Sequence, residues 1–292
     1  MTRSVRVMAA GAFTTVQDPG RPGLAHLGVP HSGWLDPAAA TLANRLVGNP
    51  EDAAVLECVL GGLGLEASAA TTIAVTGASC AVQVGRRSVP HAAAVSVPAG
   101  GQVALGAVTR GLRCYVAVAG GITVDAVLGS RSTDTLSGLG PPPLRDGDMI
   151  PVGPASGRPS SAEGVPARAP GRVVLRCSPG PRADWFTDAA LTTLATAVYT
   201  VASESDRVGL RLSGPPLERT TSGELPSEGI VLGAVQVPAD GRPLVFLNDH
   251  PTTGGYPVIA VVDLADLGRC AQLRPGDEVS LQLDQCRVSV VW

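Results

Sequence analysis

The chain of 292 residues contains no lysine: all 22 of its Lys and Arg positions are arginine. That absence removes a Walker A phosphate lysine, a Schiff-base lysine and a Ser-Lys dyad, because each needs an ammonium or its free amine. Any ATP chemistry must use arginines, backbone amides or a partner protein. No Cys-x-x-Cys pair occurs either; the six cysteines, Cys58, Cys80, Cys114, Cys177, Cys270 and Cys286, lie far apart. This spacing argues against a structural zinc site and suits reduced thiols, most of them expected as small core residues. No Gly-x-Ser-x-Gly elbow is present, so Ser-His-Asp hydrolase chemistry lacks its anchor. No apolar run approaches the roughly 18 residues of a membrane span. The start, MTRSVRVMAAGAFTTVQD, has no small-residue cleavage site behind a hydrophobic run, so a cytoplasmic location is expected. A net charge of -3 gives no electrostatic reason to expect nucleic acid or an anionic membrane as partner.

What is present points to β structure. Gly (36) and Pro (25) punctuate short apolar runs rich in Val, Ile, Leu and Thr. TTIAVTG, CAVQVG, AAVSVP, GQVALGAV, CYVAVAG, VVLRC, PLVFLN, DEVSLQL and CRVSVVW have the length and the bounding turn residues of strands in a sandwich or barrel. PAGGQVAL, LRDGDMIPV and RPGDEVSL share a turn-then-strand pattern, a weak sign of two related β units.

Helices are few. In HSGWLDPAAATLANRLVGNP, Asp36 is placed to cap, Pro37 fits the first turn and Gly48 closes the end. PRADWFTDAALTTLATA reads as a second helix with Trp185 and Phe186 on its buried face. Residues 152–171 lack an apolar face and read as a Pro/Ser/Ala-rich linker. It separates an N-terminal unit, residues 1–151, from a C-terminal unit, residues 172–292, each of ordinary domain size.

Four stretches concentrate chemistry. GGLGLEA matches G-x-G-x-x-A, but β-branched strand sequence follows instead of a helix, and no acid stands about 20 residues on. A tight turn between strands explains it better. Residues 14–36, TTVQDPGRPGLAHLGVPHSGWLD, bring Gln17, Asp18, Arg21, Ser32 and Asp36 onto Gly/Pro-rich backbone. Such a segment is either a surface connection or an anion and carbonyl site. His26 and His31 stand five apart with no third ligand, so no metal site is expected. In ESDRVGLRL, Asp206 beside Arg207, with Arg211 four further on, is either a solvated charge run or a carboxylate-guanidinium clamp. Downstream, Ser227, Glu228 and Gln236 precede a hairpin-like Pro238-Ala239-Asp240-Gly241. Residues 248–257, NDHPTTGGYP, hold Asp249, His250, Thr253, Gly254, Gly255 and Tyr256. Paired glycines permit close backbone approach to a ligand, while Asp249, His250 and Tyr256 are acid-base groups. A hairpin whose tyrosine caps a barrel end explains the loop equally well.

Read in order, TTVQDPGRPGLAHLGVPHSGWLD, LANRLVGNPEDAAVLE, CYVAVAGGI with VLGSRST, SDRVGLRL, SEGIVLGAVQVPADGRP, TTGGYP and AQLRPGD resemble the biotin-dependent carboxyltransferase-like family. The family includes the C-type subunit of bacterial 5-oxoprolinase (KipA), allophanate hydrolase subunit 2 and the carboxyltransferase half of urea carboxylase. The resemblance implies a mainly β fold with a few helices, built as two cyclophilin-like β-barrel subdomains in tandem. It also implies a B-type partner (KipI, allophanate hydrolase subunit 1-like) and, in the three-component 5-oxoprolinase, an A-type partner. The chemistry implied is ATP-dependent opening of a small amide, 5-oxo-L-proline, to L-glutamate. Its relatives instead move CO2 from carboxybiotin to urea, and KipA-like members also suggest a regulatory, partner-binding role. Without a lysine to carry it, biotin would arrive on another protein. The matching positions are Gln17, Asp18, Gly20, Arg21, Ser32, Gly33, Asp36, Asn44, Asp206, Arg207, Arg211, Ser227, Glu228, Gln236 and residues 253–257. On that basis Arg21, Arg207 and Arg211 are expected to bind anionic oxygens, with Asp18 or Asp206 in proton transfer. The TTGGYP loop is expected to shape the amide pocket. Pro251 and Val258 depart from the polar residue and the cation that are common there in the family.

Overall fold

The turn-bounded apolar runs fold as strands. The computed structural model describes residues 3–155, 157–160, 171–221, 223 and 225–284. The chain divides into two units. One comprises Met1–Arg21, Ser32–Asp134 and Gly138–Ala167; the other comprises Pro22–His31, Thr135–Ser137 and Arg168–Trp292.

The first unit runs β1 (Ser4–Ala10), β2 (Phe13–Gln17), α1 (Pro37–Val47), β3 (Val55–Val59), β4 (Leu63–Ala67), β5 (Thr71–Ser79) and β6 (Val82–Val84). It continues with β7 (Arg87–Val89), β8 (Val95–Val97), β9 (Gln102–Leu105), β10 (Arg110–Val118) and β11 (Met149–Pro151). A six-stranded sheet has the order β11-β1-β4-β9-β6-β7, and a five-stranded sheet the order β2-β3-β10-β5-β8. GGLGLEA supplies the turn before β4 and then β4 itself, which explains why it is no dinucleotide loop.

Side chains alternate across a strand, and β10 uses both faces. Cys114, Val116 and Val118 join the core between the two sheets, with Val5, Leu65 and Val103 from the opposite side. Tyr115 and Ala117 point the other way, into a second core under α1 with Trp34, Leu42, Leu46 and Val47. Helix α1 begins where its sequence dictates: Asp36 accepts from the Ala39 amide at 3.2 Å, and Pro37 occupies the first turn. It ends at Gly48, at φ 77°, where a left-handed residue without a Cβ costs least. Each fully buried Leu or Val in such a core contributes about 1.5–3 kcal/mol.

The second unit runs β12 (Val173–Pro179), α2 (Asp188–Thr196), β13 (Tyr199–Val201), β14 (Gly209–Ser213), β15 (Glu228–Gly229) and β16 (Ala234–Gln236). Then follow β17 (Leu244–Phe246), β18 (Thr253–Gly254), β19 (Val258–Val262), α3 (Leu264–Cys270) and β20 (Glu278–Leu283). Seven strands close a barrel in the order β12-β19-β16-β17-β14-β13-β20, sealed by parallel pairing of β12 with β20. The expected mainly β architecture with few helices is the one observed. Pro238-Ala239-Asp240-Gly241 makes the β16–β17 hairpin, with Gly241 at φ 75°. The second expected helix is split. Ala183–Trp185 is a 3-10 turn, Phe186 is extended and bridges Arg219, and Thr187 then caps α2 through the Ala190 amide.

Of the expected linker, residues 157–160 lie against the end of α1, where the Ser160 amide donates to Leu46 O at 3.1 Å. Its later part and the CRVSVVW run fall outside the described residues. No helix among the described residues is long and apolar enough to cross a membrane. No cluster there of three or more His, Cys, Asp or Glu is placed to hold a metal ion.

Candidate functional site

In the first unit, a buried polar network holds the backbone that follows β2. The Asp18 carboxylate accepts from the Gly20 amide at 2.9 Å, the Arg131 amide at 2.6 Å and Ser132 Oγ at 2.7 Å. Ser130 Oγ makes a fourth bond to it. Four donors converging on one buried carboxylate bind residues 18–20 to residues 130–132. Arg21 is 2% exposed. Its Nε donates to Val127 O at 3.0 Å, Nη1 to Ser32 Oγ at 3.0 Å and Nη2 to Ser132 O at 2.7 Å. Ser32 passes the chain on by donating to Asp134 Oδ2 at 2.7 Å, while its own backbone sits at φ 57°. That left-handed conformation is costly for a residue with a Cβ, and the Arg21–Ser32–Asp134 relay holds it.

Gln17 is fully buried and donates to Thr15 Oγ1 and Thr133 O, both at 3.0 Å. Its Oε1 and Thr133 Oγ1 are buried with no hydrogen bond. Asp36 does more than cap α1, since its own amide donates to Tyr115 Oη at 2.9 Å. That hydroxyl donates to Glu57 Oε2 at 2.9 Å, which also accepts from the Leu35 amide at 3.1 Å. Arg113 faces Glu57 at 3.4 Å. Burial, then the neighbouring charges of Glu57 and Asp36, push the Tyr115 hydroxyl pKa well up.

The second unit contains the other group of expected residues. Arg207 pairs in two bonds with Asp249, Nε to Oδ2 at 2.9 Å and Nη2 to Oδ1 at 3.0 Å. Thr135 adds its amide at 2.9 Å and its Oγ1 at 2.7 Å to Asp249 Oδ2. The expected Asp206–Arg207 clamp is therefore corrected. Asp206 is exposed, and its Oδ1 accepts from the Val208 and Gly209 amides at 2.8 and 3.0 Å, closing the turn before β14. Both residues lie in the turn that precedes β14, where the Asp206 carboxylate caps backbone amides and Asp249, distant in sequence, takes the guanidinium instead. Arg211, two residues into β14, is exposed.

Three separate motifs meet at one ribbon. Glu228 pairs with Gly254 and Gly229 with Thr253, joining β15 to β18. Behind the ribbon, buried Gln236 donates to Tyr256 O at 2.9 Å. A Cβ on Gly254 would come within 2.9 Å of the Gln236 amide nitrogen, so glycine here allows the side chain to reach the loop. Ser227, Thr253, Gly255 and Tyr256 face solvent, Tyr256 with 49% of its surface exposed. The hairpin reading of NDHPTTGGYP is therefore corrected: the strand in its second half, β18, pairs with the distant β15 and not with a neighbouring strand. Its first half plunges inward, with Asp249 and His250 buried. His250 Nδ1 lies 2.8 Å from Pro251 O, and its ring packs 6.0 Å from Phe246.

Two arginines beside the ribbon escaped the sequence reading. Arg182 forms an ion pair with Glu228, and Arg219 donates to Val237 O while burial lowers its pKa. Nothing local in PGPRADW or LERTT marked them, because both reach the ribbon only through the barrel's closure. Val258 is 6% exposed and packs with Ile230, Ala234 and Phe246. This position, where the resemblance led to the expectation of a cation, is a core position here.

A closed seven-stranded barrel with a separate two-stranded ribbon, in one chain with a two-sheet unit, defines a class that the sequence comparisons confirm. Residues 27–283 match the model of the carboxyltransferase domain, subdomain A and B. The chain belongs to that family. It is 40% identical to the C-type subunit of the 5-oxoprolinase of Escherichia coli, over 94% of this chain and 89% of that protein. It is 34% identical to the corresponding 5-oxoprolinase component of Haemophilus influenzae, over 95% of this chain and 90% of that protein. Among solved structures, the urea amidolyase of K. lactis superposes with a TM-score of 0.91 at 31% identity, over 95% of this chain. The chain spans 18% of that larger protein.

Proposed function

We propose that this chain is the C-type subunit of an ATP-dependent 5-oxoprolinase. It would work in the cytoplasm with KipI-like B-type and further A-type partners, opening 5-oxo-L-proline to L-glutamate. The supporting observation is the 40% identity to the E. coli protein, carried over 89% of its length. Likeness to the urea amidolyase covers one domain of a much longer protein. ATP would be bound mainly by a partner, since this chain has neither lysine nor a phosphate-cradling loop.

Opening a lactam places negative charge on the carbonyl oxygen and requires protonation of the leaving nitrogen. In our reading, the solvent-facing residues of the second unit meet the substrate or the partner: Asp206, Arg211, Ser227, Thr253, Gly255 and Tyr256. The buried residues Gln17, Asp18, Arg21, Ser32, Asp36 and Arg207 act as positioning residues, holding loops in place. The test is ATP-dependent glutamate release from 5-oxoproline by this chain combined with its A-type and B-type partners. No turnover by the complete complex overturns the reading. Turnover of urea that avidin abolishes would assign carboxyl transfer from a biotinyl carrier instead.

A further inference from the structure

A dithiol packs against the core of the first unit, with Cys114 one of its buried members and Cys80 at its edge. Cys80 stands in the two-residue connection between β5 and β6, and Cys114 on β10 points toward it. Their sulfurs are 3.6 Å apart, with the Cys114 thiol donating to Cys80 Sγ. Cys114 is fully buried and also bonds Ala78 O at 3.4 Å, whereas Cys80 is half-buried.

We propose that Cys80 and Cys114 form a peroxide-oxidisable pair, with Cys80 the attacking sulfur and Cys114 the resolving one. The hydrogen bond from Cys114 lowers the Cys80 pKa, while the same contact and burial raise that of Cys114. Of the two, the half-buried sulfur is thus the one whose ionised form, the form that attacks, is favoured. Cys80 sulfur attacks one oxygen of hydrogen peroxide, the O–O bond breaks and hydroxide leaves, giving a sulfenic acid. Cys114 then loses its proton and attacks the Cys80 sulfur. The S–O bond breaks and the second oxygen leaves as water. Two thiols and one peroxide become one disulfide and two waters.

Closing the bond needs the sulfurs to approach from 3.6 Å to about 2.05 Å. The movement falls on a turn residue and on a strand whose pairing with β5 is already irregular between Arg110 and Cys114. Cys58 is the competitor, since it stands opposite Cys114 in register. It is fully buried, its sulfur bonds Gly61 O at 3.4 Å, and burial pushes its pKa up.

The test treats the full chain with hydrogen peroxide, counts thiols after unfolding and maps cross-linked peptides by mass. The count of six thiols per chain should fall to four, return to six with dithiothreitol, and yield a Cys80–Cys114 peptide. Cys80→Ser should keep all five of its remaining thiols under the same treatment. Cys114→Ser should leave a sulfenic acid on Cys80 that dimedone traps. An unchanged count of six, a peptide joining Cys58 to Cys114, or two thiols still lost in Cys80→Ser would overturn the proposal. Because Cys80 borders solvent in a turn, its serine variant keeps the test independent of damage to the core.

Discussion

Arg207 and Asp249 form a two-bond ion pair, at 2.9 and 3.0 Å, in which the arginine is 3% and the aspartate 0% exposed. The pair fastens the start of the NDHPTTGGYP loop to the turn before β14. Removing one partner strands the other as a buried, unpaired charge, which costs about 3–5 kcal/mol. Arg207→Ala and Asp249→Ala should each lower urea-unfolding stability by that order. Arg207→Lys should not restore it, because a point charge cannot make the planar double contact. Stability unchanged in Asp249→Ala would show that the pair holds nothing in place.

Asp18 offers a sharp separation between holding and reacting. Its carboxylate accepts four hydrogen bonds, from Gly20, Ser130, Arg131 and Ser132. In Asp18→Asn, the amide NH2 would face donors instead of offering them an acceptor, at a cost of about 1–3 kcal/mol or more for the lost partners. The variant should therefore unfold at lower temperature, measured calorimetrically, besides losing activity in the complex. A wild-type melting temperature with lost turnover would make Asp18 a proton-transfer group.

Tyr115 predicts an alkaline limit to stability. Burial first, and then the charges of Glu57 and Asp36, raise its folded pKa above the unfolded value of about 10. The folded state holds the proton more tightly, so this contribution is complete below pH about 10 and declines as pH rises beyond it. Tyr199, pushed up to about 12 by burial, acts in the same direction. Urea unfolding of the wild type should show stability level up to pH about 10 and falling as pH rises above it. Tyr115→Phe should be less stable at pH 8, because Glu57 and the Asp36 amide lose a partner, but should fall less steeply. Equal slopes for both proteins would contradict the assignment.

At the ribbon, Gly254→Ala would place a methyl 2.9 Å from Gln236 Nε2. The amide would have to leave Tyr256 O, loosening the GGYP turn. We expect a stability loss of about 1–2 kcal/mol, from one hydrogen bond and local strain. A larger effect is expected on KM in the assembled complex. Gly255→Ala, whose added carbon would meet Leu225 O at 3.2 Å, serves as the milder control. Equal kinetics for Gly254→Ala and the wild type would remove the ribbon from the substrate or partner surface.

Much of this protein was legible in its residues. Short apolar runs bounded by Gly and Pro marked the strands. Asp36, Pro37 and Gly48 marked both ends of α1, because caps are local chemistry between neighbours. Phe186 misled: WFTDAALTTLATA has helical composition, but the extended bridge of Phe186 to Arg219 and the cap at Thr187 move the helix start downstream. Local propensity loses there to a pairing 33 residues away (219 minus 186).

The sequence by itself determined the strand-rich class, the exclusion of lysine chemistry, and the ordered motifs that place the chain in its family. Only the tertiary structure decided which charge meets which. Asp206 and Arg207 are neighbours in the chain, yet Asp249, 42 positions from Arg207, takes the guanidinium. Barrel closure likewise brings Glu228, Gln236 and Gly254 to one ribbon, and the turn after β5 carries Cys80 to Cys114. Partnership between distant side chains is set by turn geometry, sheet register and closure, which no short stretch of sequence contains.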